Sequence, residues 1–143
     1  MSEQPALSVR NVTKRFGPVT AVEDFSIDIG AGEFLTLLGP SGSGKSTVLS
    51  MIAGFSRPNA GSILLQGRDI TGWSPEKRAF GMVYQGYALF PHMSVADNVG
   101  FGLKMRKTDP AERARRIAEA LEIVGLTGLE KRRPGQLSGG QQQ

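Results

Sequence analysis

Apolar and polar positions alternate unevenly along the chain. From Leu7 to Phe25, short apolar pieces rich in β-branched residues (Val9, Val12, Val19, Val22) are broken by Gly17-Pro18, which predicts two strands joined as a hairpin. Phe34-Leu35-Thr36-Leu37-Leu38 is a nearly continuous apolar run ending at Gly39-Pro40; such a run predicts a strand buried on both faces of a parallel sheet. Gly61 to Gln66 and Phe80 to Tyr84 read as two more strands, separated by polar connections containing Gly67, Gly72 and Pro75.

Helical signals lie between and after these runs. Ser46 to Ala53 is apolar at Val48, Leu49, Met51 and Ile52, with Gly54 placed to end a buried helix in the left-handed conformation. Beyond Phe90-Pro91 the period moves from two towards 3.6. Ser94-Val95-Ala96-Asp97 has capping-box spacing, and Val95, Val99 and Leu103 share one helical face. Asp109 can cap a further helix, Pro110 suits its first position, and Ile117, Leu121 and Val124 form an apolar stripe before Gly125. The tail of the chain is therefore predicted to be a helical subdomain.

Composition narrows the classes. With 143 residues, 39% hydrophobic and 21% charged, the chain is ordinary globular material, one domain by length. It has no cysteine and a single histidine, His92, which excludes disulfides, thiolate metal sites and His-rich metal sites. Met1 to Pro5 lacks a basic segment followed by an apolar one, so no secretory signal is expected. The longest uncharged stretch, Ala79 to Ala96, contains Gln85, Pro91, His92 and two glycines, which argues against a membrane span. Residues 1 to 100 balance eight basic against eight acidic residues, and residues 101 to 143 carry nine against five. Glu112, Glu119, Glu122 and Glu130 interleave with the arginines there, the pattern of a solvated helix face rather than a nucleic-acid surface.

The most specific chemistry is Gly39-Pro40-Ser41-Gly42-Ser43-Gly44-Lys45-Ser46, a full P-loop pattern between a predicted strand and a predicted helix. Glycines let successive main-chain N–H groups point inward at phosphate oxygens, and a helix starting near Gly44 aims its positive end at the same place. Lys45 adds a charge for the β and γ phosphates, and the Ser46 hydroxyl is a ligand for Mg²⁺. A chance match in such a chain has a probability on the order of a few in a thousand. A second motif, Leu137-Ser138-Gly139-Gly140-Gln141, is a polar turn that can begin a helix and present N–H groups and a hydroxyl to an anion.

The P-loop, Gln85 after an apolar stretch, and Leu-Ser-Gly-Gly-Gln, in that order, resemble the ATP-binding subunit of an ABC transporter over Leu7 to Gln143. The resemblance implies an α/β P-loop NTPase fold with an N-terminal antiparallel β subdomain and a C-terminal helical subdomain. It implies a partial nucleotide-binding domain over 1–143: residues 1–89 the β subdomain plus P-loop core, residues 90–143 the helical subdomain ending in the signature motif. ATP is implied to lie between Gly39 to Thr47 of one subunit and the signature residues Leu137, Ser138, Gly139, Gly140 and Gln141 of a second, head to tail. Phe16 matches the position that stacks on adenine, where Tyr is commoner; a core Phe at a hairpin turn is the alternative. Gln85 matches the glutamine that senses Mg²⁺ and the attacking water, so Ser46 and Gln85 are the implied metal contacts.

Tyr87 to Met93 is too apolar for a free loop. By the resemblance it belongs to a groove receiving a permease helix, with core packing as the alternative and His92 as a contact or surface residue. Gly86 departs from the polar residue usual after that glutamine. Tyr87 to Met93 followed by Ser94-Val95 and Asn98-Val99 resembles ATPases of importers for polyamines, ferric iron, sulfate or maltose, with polyamine import leading. The implied place is peripheral, on the cytoplasmic face of the cell membrane, with a solute-binding protein as an indirect partner.

The family chemistry also needs an apolar strand ending in Asp and Glu, and a later His, all beyond the signature motif. No catalytic residue is therefore assigned, and Asp69 is expected in a connection. The core sheet is expected to be incomplete, with an open edge at Phe34 to Leu38 that makes the isolated chain marginally stable and prone to aggregate. A non-hydrolysing nucleotide-binding fragment is the alternative function. A P-loop kinase or GTPase leaves Leu137 to Gln141 unexplained and lacks Asn-Lys-x-Asp, and a DNA-repair ATPase lacks heptads after the P-loop.

Overall fold

The computed structural model describes residues 4–143; Met1 to Glu3, part of the segment inspected for a signal, lie outside the described residues. The chain divides into two compact units, one ending at Met82 and one spanning Val83–Gln143.

The first unit is built on an antiparallel sheet of four strands, β1 (Leu7–Phe16), β2 (Val19–Ile29), β3 (Ala60–Leu65) and β4 (Arg68–Asp69), in the order β2-β1-β3-β4. The Gly17-Pro18 hairpin forms as the sequence predicts. Val9 and Val12 are three residues apart, a spacing that strict alternation would send to opposite faces. Both are fully buried, because the register shifts between them against both neighbouring strands. At that bulge Asn11 has φ 46° and its side-chain amide donates to Asp24 at 2.7 Å.

Helix α1 (Lys45–Ala53) packs on this sheet, and Val9, Val12, Val22, Val48, Met51, Ile63 and Ile70 form one core. Burying an aliphatic side chain of this size contributes roughly 1.5–3 kcal/mol. The predicted helix thus begins one residue early, and Leu49 lies exposed rather than buried. The polar connection after β3 holds two elements the sequence reading treats as loop: the two-residue β4, which takes in Asp69, and the single turn α2 (Pro75–Arg78).

Two predicted strands do not form. Phe34 to Leu38 and Phe80 to Tyr84 are irregular, and Phe34, Leu38 and Val83 are 93%, 89% and 96% exposed. A strand is a paired object, and neither run finds a ladder partner among the described residues. The parallel sheet that their apolar character predicts is accordingly not seen there.

The second unit contains α3 (Val95–Met105), α4 (Pro110–Ile123), a 3-10 turn at Pro134–Gln136 and the short α5 (Gly139–Gln142). Ser94 and Asp97 form the predicted capping box. The next orphan donors of α3 are met by main chain: Val95 N–H reaches Arg132 O at 2.8 Å and Ala96 N–H reaches Glu130 O at 3.0 Å. Asp109 caps α4 through the N–H groups of Ala111 and Glu112. The apolar stripes are narrower than predicted: Val95 and Leu121 are buried, whereas Val99 and Val124 are exposed. Gly100 takes a buried position instead, where a Cβ would lie 2.6 Å from Ile117 Cδ1.

Candidate functional site

In the first unit the chain runs from Phe34 through the loop Gly39 to Gly44 directly into α1. The loop closes around the Lys45 side chain. Its ammonium donates to Gly39 O and Pro40 O, both at 2.7 Å, and to Ser43 Oγ at 3.1 Å, while Ser43 N–H donates to Pro40 O at 3.3 Å. Gly39 is part of the fit, since a Cβ there would lie 2.7 Å from Ser43 Oγ.

The first intrahelical bond of α1 runs from Val48 N–H to Gly44 O at 2.9 Å. The N–H groups of Lys45, Ser46 and Thr47 precede it. Gly44 has no side chain to cap them, and α1 carries no acidic residue in its first turn. Unclaimed donors, the positive end of the helix dipole and an ammonium therefore sit together, a constellation suited to a polyanion. Ser41, Gly42 and Ser46 are exposed and Thr47 is half-buried. A depression of about 400 Å³ adjoins the loop, bordered by Val22, Glu23, Phe25, Leu38, Pro40 and Lys45.

Phe16 lies in the same unit, at the end of β1, and is 54% exposed. The Lys14 ammonium stands 5.0 Å from its ring centroid and donates to Arg57 O at 2.7 Å. The ring is thus an accessible apolar face with a cation beside it.

Gln85 and the Leu137 to Gln141 motif belong to the second unit. Gln85 is exposed, and just after it Tyr87 and Ala88 both take positive φ, 63° and 50°, costly for non-glycine residues. Tyr87 and Phe90 are partly exposed, and His92 lies on the surface with its ring edge-on to Phe90 at 6.1 Å. Ser138 caps α5: its Oγ accepts from Gln141 N–H at 3.3 Å, and Gln141 Oε1 accepts from Ser138 N–H at 3.0 Å. Gly139 and Gly140 are exposed, and Leu137 is half-buried.

No cluster of three or more His, Cys, Asp or Glu side chains that could hold a metal occurs among the described residues. The donor set at the loop, a hydroxyl beside a lysine, fits a hard cation that keeps water and phosphate oxygens as its other ligands. Asp69 is engaged elsewhere: hydrogen bonds from Thr71, side chain then backbone, hold its carboxyl below the usual carboxylate range.

One functional candidate escaped the sequence. Arg78 falls in a polar connection of the sequence and is not singled out there, yet it is buried and donates to the carbonyls that end α1.

A family model described as "ABC transporter" matches residues 22–143. The spermidine/putrescine import ATP-binding protein PotA of Nitrosospira multiformis is 58% identical over 137 residues, covering 96% of this chain and 38% of the relative. The Fe(3+) ions import ATP-binding protein FbpC of Pasteurella multocida is 50% identical over 143 residues, covering 100% of this chain and 41% of the relative. The chain thus spans about two-fifths of the length of these relatives. Among solved structures, the dimeric structure of MJ0796, a bacterial ABC transporter cassette, superposes with TM-score 0.85 at 29% identity, covering 95% of this chain and 65% of that one. A post-hydrolysis state of the same cassette bound to ADP and Pi gives TM-score 0.83 at 31% identity, with the same coverage.

Proposed function

The chain belongs to the ABC transporter family, and on that premise we propose that it is the phosphate-binding part of the ATP-binding subunit of an importer. The observation that carries this reading is the Lys45 ammonium enclosed by Gly39 O, Pro40 O and Ser43 Oγ at the start of α1. Lys45 exchanges these carbonyl partners for β and γ phosphate oxygens, while the N–H groups of Gly44 to Thr47 donate to the same anion. Ser41, Gly42 and Ser43 shape the loop around it, and Phe16 stacks on the base. Ser46 Oγ would hold Mg²⁺, which would neutralise charge on the β and γ phosphates, and the Gln85 side chain is the further metal contact that the family resemblance implies.

Leu137 to Gln141 of a second subunit close over the nucleotide, which makes ATP the link between two copies. The dimeric structure of the MJ0796 cassette supports this arrangement. The Gln85 loop and the helical unit contact permease subunits, and a solute-binding protein takes part indirectly. This places the subunit peripherally on the cytoplasmic face of the membrane. No helix among the described residues is long and apolar enough to cross one. Polyamine import is the preferred solute reading, supported by the names of relatives such as the one at 58% identity, with ferric iron second.

The 143-residue chain by itself binds nucleotide without turning it over, a reading supported by the family resemblance, in which the Asp and Glu that organise Mg²⁺ and polarise water follow the signature motif. Calorimetric titration with MgATP tests the binding: heat of binding is expected for the parent and none for Lys45→Ala. Native affinity in that variant would overturn the cradle. Phosphate release by the purified 143-residue chain would overturn the non-hydrolysing reading, and uptake of labelled spermidine or ferric iron by cells carrying the full importer decides the solute.

A further inference from the structure

Arg78, the last residue of α2, is only 3% exposed, yet it forms no ion pair among the described residues. Its guanidinium is directed instead at main-chain carbonyls of two segments. Nε donates to Trp73 O and Nη2 to Thr71 O, each at 3.0 Å, and Nη1 donates to Met51 O and Ile52 O, each at 2.7 Å. Burial pushes its pKa down, and the Asp69 carboxylate at longer range partly restores it.

Met51 and Ile52 lie in the last turn of α1, whose carbonyls carry the negative end of the helix dipole; Met51 O also accepts from the N–H of the C-cap Gly54 at 3.2 Å. The opposite end of this nine-residue helix is the phosphate loop, roughly 14 Å away along a single stiff rod. The contact is built on both sides: a Cβ on Gly54, the C-cap of α1, would lie 2.8 Å from Arg78 Nε.

We infer that Arg78 is a positioning residue for the phosphate loop. By locking the C-terminal end of α1 to the Thr71–Trp73 segment, it fixes the axial position and tilt of the helix whose first N–H groups receive the anion. The inference rests on the nucleotide-binding reading above. Main-chain donors must be held to about 0.5 Å to act together, and an unanchored nine-residue helix could slide by that much on an aliphatic core. Lysine cannot substitute, because one ammonium on a flexible stem does not span carbonyls of two segments as a planar fork does.

The test uses the full-length protein and the variants Arg78→Lys, Gly54→Ala and Val9→Ala. The first replaces the fork, the second sets a methyl against Arg78 Nε and also strains the left-handed C-cap of α1, where Gly54 has φ 90°, so that Arg78→Lys is the decisive variant, and the third lowers stability from the fully buried side of β1. MgATP affinity is measured by calorimetry at a temperature where each variant is folded, and the amide shifts of Lys45, Ser46 and Thr47 on nucleotide addition are followed by NMR. Arg78→Lys and Gly54→Ala are expected to weaken MgATP by about tenfold or more and to shrink those shifts, with Val9→Ala staying within about twofold at a comparable loss of Tm.

Parent-like affinity in Arg78→Lys or Gly54→Ala overturns the inference. So does an equal weakening in Val9→Ala, and so does failure of both clamp variants to fold, which would make the guanidinium a requirement of folding alone. Absence of MgATP binding by the parent sinks the nucleotide reading and this inference with it, whereas a binding parent with unaffected variants sinks this inference by itself.

Discussion

Asn98 and the backbone of Phe90 bond in both directions: Phe90 N–H donates to Asn98 Oδ1 at 2.8 Å, and Asn98 Nδ2 donates to Phe90 O at 3.1 Å. The same Nδ2 also reaches Ser94 O at 2.9 Å and Met93 O at 3.3 Å. One amide therefore fastens the apolar Phe90 to Met93 segment to the first turn of α3. Asn98→Ala removes every one of these bonds and is expected to destabilise the second unit by about 1–3 kcal/mol. Asn98→Asp keeps the acceptor but points an ionised oxygen at carbonyls, so its loss should be larger at neutral pH and shrink in acid. Urea unfolding and exchange of the Phe90 amide measure both; unchanged protection of that amide in Asn98→Ala would refute the tether.

On α4, Glu112 accepts from Arg115 and Arg116, and these bonds, Arg115 first, lower its pKa from 4.5 to about 2. A carboxylate whose pKa is lower in the folded state stabilises it above the unfolded value and loses that contribution as pH falls through the folded one. The contribution of this network should therefore be complete above about pH 5 and fade towards pH 2. Glu112→Gln is expected to flatten the acid limb of the unfolding midpoint in that window. The groups are exposed, so added salt should shrink the difference. An acid limb identical in the two proteins at low salt would count against the network.

Phe34 and Leu38 in the first unit and Val83 in the second present large apolar surfaces to solvent. Such groups drive association when nothing covers them. The 143-residue chain in isolation is expected to self-associate with rising concentration, and Phe34→Lys with Leu38→Lys to reduce this. Light scattering and sedimentation report it. A monomeric chain with a sharp, cooperative melt would contradict the expectation.

These same residues show what the sequence could and could not reveal. Caps are local chemistry: Ser94 and Asp109 take up the bonds that their spacing predicts, and Ser138 begins a helix as its motif suggests, with its hydroxyl accepting from Gln141 N–H. Phe34 to Leu38 and Phe80 to Tyr84 carry strand-like residues, but pairing is a property of two segments, and a one-segment pattern cannot supply the other. The Val9 to Val12 bulge hides for a related reason, since spacing alone does not locate a register shift. The site divides in the same way. Lys45 lies inside its own loop because six consecutive residues build that loop. Arg78 contacts Met51 across 27 residues of chain, and an arginine following Pro-Glu-Lys looks like any surface cation.

Gly44 is held by two constraints at once. Its φ is 86°, and a Cβ would lie 2.5 Å from Ala21 O and 3.0 Å from Val22 Cγ2. Ala21 O is main chain of β2 and cannot rotate away, so Gly44→Ala must displace either the strand or the start of α1. Gly42 shares the left-handed backbone, with φ 82°, but has nothing within 4 Å of its Cβ position. Gly42→Ala should therefore cost only the left-handed strain, about 1–2 kcal/mol. Gly44→Ala adds steric overlap of about 1–3 kcal/mol. The displaced groups in Gly44→Ala are the N–H donors of Lys45 and Ser46, so its MgATP affinity should fall further than its stability alone would require. Equal Tm and equal affinity in the two variants would mean that contact with β2 does not set the geometry of the loop. A loss confined to Gly44→Ala would mean that the strand beneath the loop helps to aim its donors.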